Sequence, residues 1–273
     1  MPKVLIIQPF HQDGMKLFEA RPDVACEIVD GELEALAEQI VDADGVTIRT
    51  SPLPAEILER AERLKVVSRH GVGYDNIDVE TLSRRGIPLA IAADANATAV
   101  AEHTLFFMLA LAKQGLRYDR ATREGGWAVR NSLDAVDLMG RRVFVMGFGR
   151  IGREVARRCA AFGMQVMVYD PYVQANVIEA AGDYRSVPDF QAVLPETDVL
   201  TVHMPLGPDS RGLIGAPELT ALPETAFVIN AARGGIVDEA ALHDALTSGK
   251  IAGAGLDVFD QEPPPADHPL FAL

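Results

Sequence analysis

The sequence predicts an α/β chain made of two doubly wound parallel-sheet domains in series. Three observations carry this. Short apolar runs alternate with helical patterns almost from the first residue, a second alternating series starts at Arg142 after a long apolar helix, and a glycine-rich turn joins strand to helix at the head of that second series.

The first series opens with Val4-Leu5-Ile6-Ile7, a buried strand, and a helix over 14–20. A second strand over 24–29 and a helical stretch over 33–40 follow, and strands over 45–48 and 64–67 flank a helix over 55–63. Alternation of this kind builds βαβ units, whose parallel sheets are covered by helices on both faces. One long helix is then expected over 98–124, opening near Thr98 and closing near Glu124. Its Ala101, Leu105, Met108, Leu109 and Ala112 recur at helical spacing, Asn96 or Thr98 serves as cap, and Glu102 falls in the first turn. A helix so long and apolar buries more than one face and is expected to join domains or subunits. Further strands are expected over 142–146, 166–169, 199–202, 227–229 and 251–256, with a break at Glu262-Pro263-Pro264-Pro265. The expected division is 1–97 and 98–273.

With 273 residues, at ~150 per domain, two domains are reasonable. A composition 48% hydrophobic and 23% charged is that of a folded globular chain. The net charge of −14 argues against a nucleic-acid partner, because surfaces that track phosphates need clustered Lys and Arg. No apolar run approaches the ~20 residues of a membrane helix, so no membrane partner is expected. A strand-like run directly after Met1-Pro2-Lys3 leaves no room for a signal peptide. Cys26 and Cys159 lack any Cys-x-x-Cys spacing and read as two thiols in a reducing cytoplasm. No His, Asp or Glu pattern has metal-ligand spacing.

Gly147-Phe148-Gly149-Arg150-Ile151-Gly152 is the sharpest local signal. A buried strand precedes it and a helix over 151–162 follows. In such a turn the first glycine permits the tight bend, the second lets a pyrophosphate approach the backbone, and the third lets helix and strand pack together. The phosphates then meet the free N–H groups and positive dipole end of the helix. Asp170 ends the next strand, where its carboxylate can accept from the adenosine ribose hydroxyls and repel a 2′-phosphate. Pro171 and Tyr172 bring no arginine to neutralise one. The pattern is that of a Rossmann domain and favours NAD over NADP; the plain alternative is a structural turn with a capping aspartate.

Beyond this turn stand Asn230-Ala231-Ala232-Arg233-Gly234-Gly235-Ile236-Val237-Asp238, Gly255-Leu256-Asp257 and Asp260-Gln261-Glu262-Pro263. Together with Arg69-His70-Gly71-Val72-Gly73-Tyr74-Asp75 and Ala99-Val100-Ala101-Glu102-His103, they make the chain closely resemble the D-isomer-specific 2-hydroxyacid dehydrogenases. The resemblance implies a flavodoxin-like substrate domain before the Rossmann domain, a cleft between them, and hydride transfer between NAD and a small D-2-hydroxy acid. Arg233 would orient the substrate, its fork of donors suiting a carboxylate and carbonyl. The N–H groups at Val72 and Gly73 would form a second carboxylate clamp. Glu262 would pair with an acid/base histidine, and Asp257 would hold the nicotinamide amide. The backbone at His203-Met204-Pro205 would wall the adenosine, while Ala231 and Ala232 line the cofactor beside Arg233. Arg49 and Arg69 flank the expected cleft and favour 3-phosphoglycerate, hydroxypyruvate or glyoxylate over bulky aliphatic acids. Glu262 speaks against the formate dehydrogenase branch, which uses glutamine there. A homodimer through the 98–124 helix is also implied.

Plain alternatives stand beside several of these: a surface role for Arg233, a solvated Glu262, a capping Asp257. His103 reads as a packed helix histidine, His70 as a residue that lines the cleft without catalysing, and Trp127 as packing or subunit contact. None of the six histidines (11, 70, 103, 203, 243 and 268) occupies the family's catalytic position after the Glu-Pro motif. Either the chain is a piece of a longer enzyme or it is a shortened, NAD-responsive binding protein of the kind that serves as a transcriptional corepressor.

Overall fold

The computed structural model describes residues 1–273, which divide into two compact units, Met1–Asn96 and Ala97–Leu273.

In the first unit the expected apolar runs form β1 (Lys3–Ile7), β2 (Ala25–Val29), β3 (Gly45–Ile48) and β4 (Val66–Arg69). The helices α1 (Gln12–Glu19), α2 (Leu33–Gln39) and α3 (Ala55–Arg60) connect them. The sequence reading lacked α4 (Val79–Arg84) and β5 (Leu89–Ile91), of six and three residues, each too short to show a period. All strands are parallel in the order β2-β1-β3-β4-β5, the flavodoxin-like winding. Leu5, Ile7, Val46, Ile48 and Val67 point to one face and pack against Leu36 of α2, Ile57 and Leu58 of α3 and Leu82 of α4. The opposite face is buried at its centre, where Ile6 is 1% and Thr47 5% exposed, and opens away from it, where Ile28 is 57% and Val66 39% exposed.

The second unit opens with α5 (Ala97–Ala112) and α6 (Gly115–Arg123), not with one helix over 98–124. The break has a local cause. Val136 N–H donates to Ala112 O at 2.8 Å, diverting a carbonyl the helix would use, and Gln114 adopts the left-handed conformation (φ 51°, ψ 36°) before Gly115 restarts the winding. Glu102, expected in the first turn, lies beyond it and faces Arg158 at 3.8 Å. Six parallel strands follow: β6 (Arg142–Met146), β7 (Gln165–Tyr169), β8 (Tyr184–Ser186), β9 (Val199–Val202), β10 (Phe227–Asn230) and β11 (Gly253–Leu256). Between them run α7 (Arg150–Ala161), α8 (Ala175–Glu179), α9 (Ala216–Ala221) and α10 (Glu239–Thr247).

The strand order β11-β10-β9-β6-β7-β8 is the Rossmann winding, with the chain reversing direction at β6/β9. Alternation along β6 sends Val143 and Val145 to the face covered by α5 and α7, and Phe144 and Met146 to the face covered by α9 and α10. Both faces are therefore packed. No helix is long and apolar enough to cross a membrane.

Candidate functional site

In open α/β sheets ligands bind beyond the carboxyl ends of the strands, where the winding reverses. In the second unit that place lies between β6 and β9, and the glycine turn occupies it. Gly147 bends at φ +100°, and a Cβ on it would lie 2.5 Å from His203 O, at the carboxyl end of β9. A Cβ on Gly152 would lie 1.9 Å from Gly147 O. Only glycine fits either place. Gly149 differs: it caps α7, and a Cβ there would meet nothing within 4 Å. No side chain caps α7, so the first-turn N–H groups at Arg150, Ile151 and Gly152 face this open cradle.

Asp170 is fixed by the turn it serves. Its Oδ2 accepts from Phe148 N–H at 2.7 Å and its Oδ1 from Tyr172 N–H at 2.9 Å. Each oxygen keeps a lone pair for a further donor. Open space at the second glycine, a helix start that no side chain caps and an oriented carboxylate 18 residues after the third glycine together fit a dinucleotide, and the carboxylate suits an unphosphorylated ribose.

Along the same edge, beyond β10, Asn230 organises the Arg233 loop. Its Oδ1 accepts from Ala232 N–H at 3.1 Å and its Nδ2 donates to Arg233 O at 2.8 Å, while Ala231 and Ala232 are buried beneath. The half-buried Arg233 donates to Ala232 O at 2.6 Å. A Cβ on Gly234 would lie 1.9 Å from Phe259 O, so this glycine lets the loops after β10 and β11 touch. Asp257 follows β11, its N–H donating to Asn230 O at 3.0 Å, and its carboxylate lies 3.5 Å from His103 Nε2. Met204 packs against the α9/α10 core.

Glu262 is exposed and accepts from Phe259 N–H at 3.1 Å, not from a histidine. His268 bonds Glu239 instead, at 2.9 Å. His203 accepts or donates through Nε2 to Thr201 Oγ1 at 2.9 Å while its Nδ1 is enclosed without a partner; burial pushes its pKa down to about 3, so this imidazole is neutral.

In the first unit the loops after β1, β3 and β4 gather at the β1/β3 reversal. Gln8 Oε1 accepts from Thr50 N–H at 2.8 Å and Ser51 N–H at 3.2 Å, and Asn76 Nδ2 donates to Ser51 O at 2.6 Å. Arg49 reaches Pro9 O at 3.3 Å, and Arg69 donates to His70 O at 2.5 Å. His70 stacks on Phe10 with centroids 4.7 Å apart. Val72 and Gly73 are half-buried, and no backbone carbonyl accepts their N–H groups. The sequence reading singled out neither Gln8, Asn76 nor Asn230 as a positioning residue. Only Asn230 left a signal, as the polar end of a buried strand just before Arg233.

These features define a Rossmann-type dinucleotide-binding protein whose sheet edge also carries an arginine loop. The sequence profile of the D-isomer specific 2-hydroxyacid dehydrogenase NAD-binding domain matches residues 105–273. The chain belongs to that family, and its second unit is the NAD-binding domain. It is 40% identical over 275 residues to the D-3-phosphoglycerate dehydrogenase of Methanocaldococcus jannaschii, covering all of this chain and 52% of that protein. It is 34% identical over 278 residues to the glyoxylate reductase of Korarchaeum cryptofilum, covering all of this chain and 83% of that protein. The crystal structure of the TT0316 protein from Thermus thermophilus superposes with a TM-score of 0.90 at 32% identity, covering 99% of this chain and 86% of that one. The chain thus spans about half the length of the D-3-phosphoglycerate dehydrogenase it matches.

Proposed function

We propose that this chain serves an NAD-dependent dehydrogenase that interconverts a small D-2-hydroxy acid and its 2-oxo acid. The observation that carries the reading is the open cradle at Gly149 with Asp170 oriented beside it, on the sheet edge that also presents Arg233. Bound NAD supplies the hydride acceptor at its nicotinamide; in the reverse direction the 2-oxo acid takes up one hydride and one proton to become the hydroxy acid. Asp170 selects the unphosphorylated ribose. Asp257 accepts from the carboxamide N–H, and Arg233 binds the substrate carboxylate and polarises the carbonyl. Glu262 acts as the carboxylate partner of an acid/base imidazole. The first unit is the substrate domain, in which the N–H groups of Val72 and Gly73 clamp the carboxylate. Arg49 and Arg69 favour a short, strongly polar substrate of the 3-phosphoglycerate, hydroxypyruvate or glyoxylate class, and the relatives' names lie in that class. A homodimer forms through α5 and α6, where Phe106 and Leu116 are exposed, with Trp127 nearby also open. The compartment is the cytoplasm.

Calorimetry with NADH and then oxalate, a 2-oxo acid mimic, tests this without depending on turnover. Arg233→Ala is expected to leave NADH affinity within about threefold and weaken oxalate at least ~100-fold, the loss of a bidentate charged contact. Equal oxalate binding by both proteins would remove Arg233 from the site, and the absence of NADH binding by the parent chain would end the reading.

A further inference from the structure

We infer that His103 positions the Asp257 carboxylate for the nicotinamide carboxamide, which makes the first helix of the NAD-binding unit part of its cofactor site. The inference rests on the reading of Asp257 given above.

The geometry is a ladder between a helix and a strand. A Cβ on Gly253 would lie 3.0 Å from Leu111, and one on Gly255 would lie 2.7 Å from the Phe107 ring. His103 Nε2 then lies 3.5 Å from Asp257 Oδ1. Steps of four residues along α5 (111, 107, 103) therefore meet steps of two along β11 and its extension (253, 255, 257). The match is physical, since four helical residues rise ~6 Å and two strand residues ~6.6 Å. Residues four apart share a helix face, and residues two apart share a strand face. Two rungs are closed by glycines that admit large apolar side chains. The third carries an imidazole against a carboxylate, at the point where the strand reaches the carboxyl edge of the sheet.

His103 is held on that rung from its own side. Its ring meets Phe107 edge-on at 4.3 Å and stacks with Phe106 at 5.7 Å. Phe107 is itself seated over Gly255, so the imidazole has a fixed base. Asp257 is about half exposed and would otherwise be free to turn among its rotamers; the imidazole restricts which oxygen faces the cofactor. His103 is a positioning residue and touches no reacting atom. This differs from the sequence reading, which treated it as helix packing.

Calorimetry on the whole chain tests the inference with three ligands: NAD, 3-acetylpyridine adenine dinucleotide (the carboxamide NH2 replaced by methyl) and ADP-ribose. His103→Ala is expected to weaken NAD about five- to tenfold, to leave ADP-ribose and the acetylpyridine analogue within twofold, and to add nothing further in an Asp257→Ala background. His103→Gln, which keeps a donor, is expected to recover most of the NAD affinity. Unchanged ADP-ribose binding reports that the unit is folded. The inference is overturned if His103→Ala weakens NAD and ADP-ribose alike, weakens neither, or adds in full to Asp257→Ala. If Asp257→Ala, which removes the acceptor, fails to separate NAD from ADP-ribose, the reading of Asp257 falls and takes this inference with it. That outcome is distinct from a failure confined to His103.

Discussion

The two units finish the carboxyl edges of their sheets by different balances of backbone and side-chain contact. In the second unit the edge brings backbone against backbone, Gly147 against His203 O, Gly152 against Gly147 O and Gly234 against Phe259 O, at separations no Cβ could share, beside the side-chain ties of Asp170 and Asn230. In the first unit it is made of side chains that reach across to backbone, with Gln8, Asn76, Arg49 and Arg69 tying three loops together. A backbone contact prescribes one residue type, whereas a side-chain bridge admits several. The glycine edge therefore tolerates least change, and its substitutions give the largest expected effects. Gly152→Ala places a Cβ 1.9 Å from Gly147 O, a clash that only displacement of α7 relieves, at a cost of ~1–3 kcal/mol or more, and is expected to lower the unfolding midpoint and abolish NAD binding together. Gly149→Ala is the sharper companion. It meets no protein atom, so thermal unfolding should match the parent while NAD affinity falls at least ~10-fold, as the new methyl enters the pyrophosphate cradle. A Gly149→Ala protein that binds NAD like the parent would place the pyrophosphate elsewhere.

The side-chain edge of the first unit should yield locally and by less. Gln8→Leu removes an acceptor shared by Thr50 N–H and Ser51 N–H while leaving the core of β1 and β3 intact. Thr50 is exposed and water can replace the lost bond, whereas Ser51 is buried, so the expected loss is ~1 kcal/mol confined to this loop. Hydrogen exchange of the Thr50–Ser51 amides should quicken about fivefold, with the 147–152 turn unchanged. Faster exchange throughout the first unit would mean that Gln8 supports the fold and not merely the loop.

This contrast also explains what was legible in the sequence. The Gly147–Gly152 spacing, Asp170 at a strand end, and the alternation of Val143, Phe144, Val145 and Met146 are written in residue identity because sterics and the period of two leave little choice. The break between α5 and α6 was not legible: Ala112, Lys113 and Gln114 are acceptable helix formers, and what stops the helix is a tertiary bond from Val136, 24 residues on. Likewise α4 and β5 are too short to carry a period. His103 packs against Phe106 and Phe107 as its place on an apolar helix suggests, and its approach to Asp257 was not legible because β11 lies about 150 residues further along the chain. The exposure of Ile28 and Val66 was not legible either, since they are as apolar as any buried strand residue.

At the opposite, amino edge the units use the same device with different strength, and the smallest predicted effect lies there. Asp44 stands just before β3 and accepts from Lys3 N–H, at the start of β1, at 3.0 Å; Asp198 stands just before β9 and accepts from Arg142 N–H, at the start of β6, at 2.8 Å. Each carboxylate thus ties together the two strands that flank the winding reversal. Asp44 is the better enclosed, with a side chain 7% exposed against 27%, and meets both Arg63 at 2.9 Å and Lys65 at 3.0 Å, where Asp198 meets Arg141 at 3.1 Å. The Lys3 amide, Lys65 and Arg63 hold the Asp44 carboxyl well below the usual carboxylate range. A depressed folded-state pKa contributes stability that is fully present above the unfolded value, ~3.9, and is lost as pH falls below it. Lowering the pH from about 5 to 2.5 should therefore erode hydrogen-exchange protection, corrected for intrinsic rates, more steeply in β1 and β3 than in β6 and β9. Asp44→Asn should start with weaker protection in β1 and β3 and show little further loss over that range, whereas Asp198→Asn should leave the acid response of the first unit as it is. An Asp44→Asn protein with the parent's full acid response would assign that response to other carboxylates and reduce Asp44 to a neutral hydrogen-bond acceptor.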